Sequence, residues 1–434
     1  MLFSAALTAT LLASAYAAPT LVSRDMTVNS GTKAPMTLKK STSQNSSASK
    51  GAVYMITNEP SGNFVVAADI NADGSLTLAT AMATGGAGQH GNAEGPDPLF
   101  GQGAVKANAN ASMLATVNAG SNTISLFSID PKNPTSLKAV GQPISSGGEF
   151  PQSVAFNAAG DMLCTLNGGA LDGVQCFSVN GTAGLTPMAN TRRNININQT
   201  TPATGPAGTA SHLIFSEDQK TVFAAVKGNP DANFTGFLAA WDIQEDGSLS
   251  EDFTKITLPD GGALPFAISN IAGSNGSLFV ADAGVGADVF DLKKGVNNAS
   301  KSNATATIPV EGQGAVCWTA FSSKISSFFV SDIKTSLITE IAVDPSTLNS
   351  TVIKQYKTQD GAGTIDLETA TVNDKDFLYV NMANATSIAV FALPAQGQAK
   401  MTQTLDVGKA AAKAGLPISG NNVQGMTVFL AKSN

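Results

Sequence analysis

Histidine and arginine are nearly missing from this chain. Two histidines, three cysteines and three arginines (Arg24, Arg192 and Arg193) in 434 residues allow no zinc site of His and Cys spacing to be drawn. They also leave few places for bidentate recognition of a multiply charged anion. The formal net charge is -7 and the pI about 4.9, so the basic stripe that a phosphate backbone requires is absent and nucleic-acid binding is excluded. Beyond the first twenty residues no apolar run is long enough to span a bilayer. The final Lys-Ser-Asn lacks the hydrophobic tail of a GPI signal.

What the sequence has is a rhythm. The stretch 150–188, FPQSVAFNAAGDMLCTLNGGALDGVQCFSVNGTAGLTPM, holds four short apolar runs separated by Gly, Asn and Asp, which read as strands joined by tight turns. Residues 104–129, 212–243 and 365–393 repeat strand, polar turn and strand at intervals of about 50 to 55 residues, the range in which four-stranded repeats build propellers. Seven blades are predicted, beginning near Gly51, Phe100, Glu149, Gly208, Leu264, Gly314 and Gly363. The first lacks its innermost strand, and the unassigned run NVQGMTVFL at 422–430 supplies it, closing the ring and removing exposed edges. The alternative is an open sandwich with a loose last strand.

The expected organisation is a signal peptide over 1–17, a disordered segment over 18–50 and an all-β, seven-bladed propeller over 51–434. The leader ends in the small-x-small pattern Ala15-Tyr16-Ala17 of a signal-peptidase site. Residues 21–50 have few apolar positions and no period, so they cannot offset their ordering entropy. Sequons at Asn45, Asn110, Asn180, Asn198, Asn233, Asn275, Asn298, Asn303, Asn349 and Asn384 read as glycosylation sites of a secreted or cell-wall-associated protein. Cys164 and Cys176 are equidistant from the turn at Ala170, a register that permits a cross-strand disulfide. Cys317 has no partner left and reads as a small buried apolar residue rather than a nucleophile. Asp69-Ile-Asn-Ala-Asp73-Gly74 imitates an EF-hand opening, but Thr80 stands where its last carboxylate belongs, so it reads as a hairpin turn. Glu245-Asp246-Gly247 repeats that turn.

Superposing the repeats yields candidate site residues. Starts of the innermost strands align as Gln424, Gln102, Gln152, His212, Phe266, Cys317 and Asp366, and ends of the second strands as Asn58, Asn118, Asn167, Lys227, Asp282, Asp332 and Asn381. In a propeller both sets approach the same mouth of the channel. They either form a site or only satisfy turn backbone groups and channel waters.

The repeats, with strands ending in Val-Asn or Leu-Asn, and the stretches GPDPLFGQGAV, LATVNAGSNTISLFSIDP, SSGGEFPQSVAF and NQTTPATGPAGTASHLIF resemble the lactonase-like seven-bladed propellers. Among these the secreted fungal 3-carboxymuconate cyclase-like proteins are the most similar in form. The resemblance implies lactonising or lactone-opening chemistry: an Arg-His segment in the fourth blade for carboxylate binding and proton transfer, and an Asn-Glu at the end of the next strand. Here His212 matches the histidine, Ser211 stands for the arginine, Val226-Lys227 replaces Asn-Glu, and Gln152-Ser153 replaces a third-blade histidine. On the enzymatic reading His212 and Lys227 are catalytic. Arg192 and Arg193 then bind substrate together with Gln102, Gln152, Asn118, Asn167, Asp282, Asp332, Asp366 and Gln424, one aspartate replacing the lost glutamate. The competing reading is a non-catalytic extracellular propeller that binds a small molecule, a glycan or a host surface. Either way a monomer without a cofactor is expected, its ligand a small anionic molecule or a glycan. His90, in GGAGQHGNAEG, belongs to a linker or a mobile lid. If the arginines share one mouth with His212 and Lys227 the enzymatic reading gains, and if they lie on the rim the binding reading gains.

Overall fold

A computed structural model of the protein describes residues 35–38 and 49–432. The leader 1–17, most of the segment 18–50 and the sequon at Asn45 lie outside these residues. Seven antiparallel sheets follow one another along the chain. Their innermost strands are Gln424–Leu430, Val105–Asn108, Pro151–Phe156, Ala210–Phe215, Pro265–Asn270, Val316–Ser322 and Thr364–Val372, each packed against the next around a closed ring. The first blade runs from Gln424–Leu430 through Gly51–Ile56 and Phe64–Ile70 to Leu76–Ala83, with Val53 opposite Val428. The predicted closure by the chain's last strand is therefore present.

Burial explains the sequence texture. Inner strands such as Gly51–Ile56 and Met113–Asn118 are buried on both faces, the first as an unbroken apolar run and the second with only Thr116 and Asn118 polar, whereas the outer strands Ser350–Lys357 and Lys400–Asp406 face solvent. Blades interlock through aromatic contacts, among them Phe279 stacked on Phe328 at 4.2 Å between blades five and six. Cys164 and Cys176 are directly opposite and joined by a disulfide, and Cys317 is buried and free. The two EF-like stretches are hairpin turns in which Asp73 and Asp246 accept from Ser75 and Ser248 N–H.

Two expectations need correction. Met36–Thr37, inside the segment read as disordered, pairs with Leu76–Ala83 as an extra edge strand, and Leu38 beside it is buried. The second blade's inner strand begins at Val105, not at Gln102. No helix among the described residues is long and apolar enough to cross a membrane.

Candidate functional site: two chambers on one axis

The residues ahead of that strand leave the blade and cross the channel. Residues 97–103 are nearly all buried, with Leu99 at 0% exposure and Phe100 at 2%. Their polar atoms bond to four blades. Leu99 O accepts from Gln152 Nε2 of blade three at 2.5 Å and Phe100 O from Lys227 Nζ of blade four at 2.5 Å. Gly101 O accepts from Trp318 Nε1 of blade six at 3.1 Å and from Gln424 Nε2 of blade one at 2.8 Å. The Gln102 amide brackets the Thr319 peptide, donating to its C=O at 2.9 Å and accepting its N–H at 3.0 Å. Only glycine fits at 101, because a Cβ there would lie 2.2 Å from Ser211 O. The segment is a plug, and it separates an upper chamber, on the side where inner strands begin, from a lower one on the side where they end.

The upper chamber has a volume of about 500 Å³ and a mostly apolar wall that includes Phe100, Leu264, Phe266, Ala315 and Cys317. Its charged lining residues are Glu94, Asp97, Lys227 and Lys334. Lys227 is 2% exposed, and besides Phe100 O its Nζ donates to Ala210 O at 3.2 Å and lies 4.5 Å from the centre of the Phe266 ring. Burial lowers the pKa of this ammonium against the pull of Asp97, and burial raises that of Asp97 against the pull of Lys227. Two buried groups of opposite type thus have proton affinities drawn toward each other. Burial pushes the Cys317 thiol well up, which keeps it a poor nucleophile.

The lower chamber, about 450 Å³, is lined by residues of six inner strands, among them His212, Lys106, Thr319, Asn270 and Glu368. His212 and Lys227 therefore face different chambers. Blades three and four carry the same β-bulge, and the misplacement is a one-residue slip in the superposition of the repeats. Pro151 pairs with Asn167 and Ser153 with Leu166, just as Ala210 pairs with Val226 and His212 with Ala225. Ser211 is thus the counterpart of Gln152, His212 is the counterpart of Ser153, and Lys227 lies one residue past the counterpart of Asn167.

Other candidates are structural. Arg192 donates from Nε to Gly147 O at 2.6 Å and from Nη2 to Asp172 O, and Arg193 from Nε to Ser250 O at 2.6 Å and from Nη2 to Leu249 O. Both guanidinium groups clamp loop carbonyls of blades three and four, and neither lines a chamber. Asp282 accepts the N–H groups of Ala263, Leu264 and Gly284, and Asp332 those of Gly314, Ala315, Lys334 and Thr335. Asn118 donates to Thr123 and Ser125, and Asn167 to Ser146 O and Gly173 O. Asp366 accepts from Gln424 Nε2 at 2.9 Å and Gly425 N at 2.8 Å, latching the last strand to blade seven. His90 bonds the carbonyls of Gly91 and Gly95 in its own loop. The buried carboxamide of Asn381 meets no protein partner among the described residues, and nothing in the structure explains it.

Sequence reasoning missed Asp97, although the pair of prolines that flank it, Pro96 and Pro98, marks a segment unfit for a central strand.

Seven four-stranded blades latched by the final strand define a seven-bladed β-propeller. Residues 45–202 match the family model described as "Lactonase, 7-bladed beta-propeller". Among solved structures, the periplasmic gluconolactonase PpgL of Pseudomonas aeruginosa is similar at 15% identity with a TM-score of 0.60, over 88% of this chain and 99% of that one. A putative 6-phosphogluconolactonase from Bacteroides fragilis is similar at 14% identity and TM-score 0.57, over 89% and 99%. No curated protein matches the chain.

Proposed function

We propose that this protein opens or closes a small, uncharged lactone in the upper chamber, with Lys227 and Asp97 sharing the transferred proton. The observation that carries the reading is the placement of Lys227: a buried amine on an apolar wall, beside a buried acid. In hydrolysis, water adds its oxygen to the lactone carbonyl and gives one proton to the pair. The ring C–O bond breaks, and the pair returns a proton to the departing oxygen. The same steps in reverse close the ring. A carboxymuconate trianion fits this chamber poorly, since two basic groups there face two acids and both channel-side arginines of the enzymatic reading are engaged elsewhere.

The clamped arginines favour a second reading, in which the chamber holds such a molecule without turning it over. A secreted, glycosylated setting suits either reading. The disulfide Cys164–Cys176 supports it, as does the exposure of the acceptor Asn at all nine described sequons, Asn110, Asn180, Asn198, Asn233, Asn275, Asn298, Asn303, Asn349 and Asn384.

The test is hydrolysis of glucono-δ-lactone and of simple δ- and γ-lactones by wild type, Lys227→Met and Asp97→Asn, with circular dichroism to confirm folding. Loss of about 100-fold or more in kcat/KM in each folded variant is expected for a proton-transfer pair. Turnover equal to wild type in folded Lys227→Met defeats the assignment. Saturable lactone binding with no turnover in any protein selects the second reading.

A further inference from the structure

The lower chamber contains polar groups that the upper-chamber chemistry does not use. His212 is 2% exposed, and its Nδ1 accepts the Ile268 backbone N–H at 3.0 Å. A peptide N–H can only donate, so the proton of the neutral ring resides on Nε2. His212 lines the chamber, and its buried Nε2–H meets no protein acceptor among the described residues. Burial first, and then nearby Lys106, lower the histidine's pKa well below its usual value, so the ring remains a neutral donor. Thr319, also 2% exposed, presents an Oγ1 without a protein partner, and Asn270 presents an Oδ1 in the same state while its amide donates to Phe215 O.

The charge on the wall is balanced. Lys106 Nζ is 3.5 Å from Glu368 Oε2, so an anion would gain the lysine but meet the glutamate, and a cation the reverse. A donor fixed by the backbone, an amide acceptor, a hydroxyl able to do either and a neutralised ion pair together match hydroxyl groups, which donate and accept in equal measure. At about 450 Å³ the space exceeds one water's share of roughly 30 Å³ by an order of magnitude.

We infer that the lower chamber is a second binding site, separate from the Lys227 chamber, for a small neutral polyol such as a free monosaccharide, with His212 Nε2–H, Thr319 Oγ1 and Asn270 Oδ1 as its recognition atoms. The site is reached from the face where the inner strands end. Its ligand therefore does not compete with a lactone in the upper chamber.

Only two histidines are present, so the imidazole signals of His212 and His90 are readily told apart by ¹⁵N NMR. D-Xylose titrated into the full protein is expected to shift the His212 Nε2 resonance saturably while leaving His90 unmoved. Thr319→Val removes a hydroxyl with no protein partner and leaves intact the peptide held by Gln102. It should weaken binding roughly three- to tenfold, the worth of about one hydrogen bond, without lowering the urea midpoint. Lys227→Met should leave xylose binding unchanged even where it abolishes lactone turnover, so the two sites are tested independently. A His212 signal that xylose does not move overturns the inference, as does equal affinity in Thr319→Val. A response to acetate but not to xylose overturns the neutral-polyol assignment.

Discussion

Asp288, on the third strand of blade five, has no exposed surface. Burial, reinforced by adjacent Asp282, pushes its pKa to about 9. An unfolded aspartate titrates near about 3.9. Between about pH 4 and 9, therefore, the folded chain holds a proton that the unfolded chain has lost, and stability falls as pH rises through that window. Asp288→Asn keeps the shape and removes the titration. Its urea midpoint should fall less between pH 5 and pH 8.5 than that of wild type, and an undiminished fall would show that Asp288 ionises normally. The same residue scale is where sequence reading was weakest. Asn118, Asn167, Asp282 and Asp332 were visible as a repeated polar set, but their role was not, because a turn cap and a ligand-binding group use the same side chains. Arg192 and Arg193 misled for a related reason: a guanidinium satisfied by backbone carbonyls leaves no mark in composition.

Strands were more legible than sites, since a two-sided apolar run such as Ala52 to Ile56 has few other readings. Bulges were not. Blades three and four carry the same bulge, at Gln152 and at Ser211, so a superposition that sets His212 on Gln152 instead of Ser153 is one residue out of register. The loops entering the blades depend on single acceptors, and Asp332 is the fullest case, with four N–H groups on one carboxylate. Asp332→Ala leaves those donors unpaired around a buried position and should lower stability by about 2–4 kcal/mol, read as a urea midpoint shift. Asp332→Asn, which retains one acceptor oxygen, should lose less. Equal losses would show that the carboxylate's second oxygen contributes little.

At the scale of the whole molecule, ring closure was predictable because one blade lacked a strand and one strand lacked a blade. The latch that fastens it was named only as a set of polar residues. Asp366 bonds the Gln424 amide and Gly425 N–H at the start of the closing strand. Asp366→Ala should lower stability by about 2–3 kcal/mol and speed protease cleavage near residue 420, and a cleavage rate equal to wild type would remove Asp366 from closure. The plug was the least legible feature, since Gln102 superposes on the strand starts Gln152 and Gln424 although the inner strand of its own blade begins only at Val105. Its consequence reaches both faces. A solute that enters this propeller has to leave by the door it came in, so product escapes against incoming substrate on one side, and whatever settles on the other side neither feeds that traffic nor drains it.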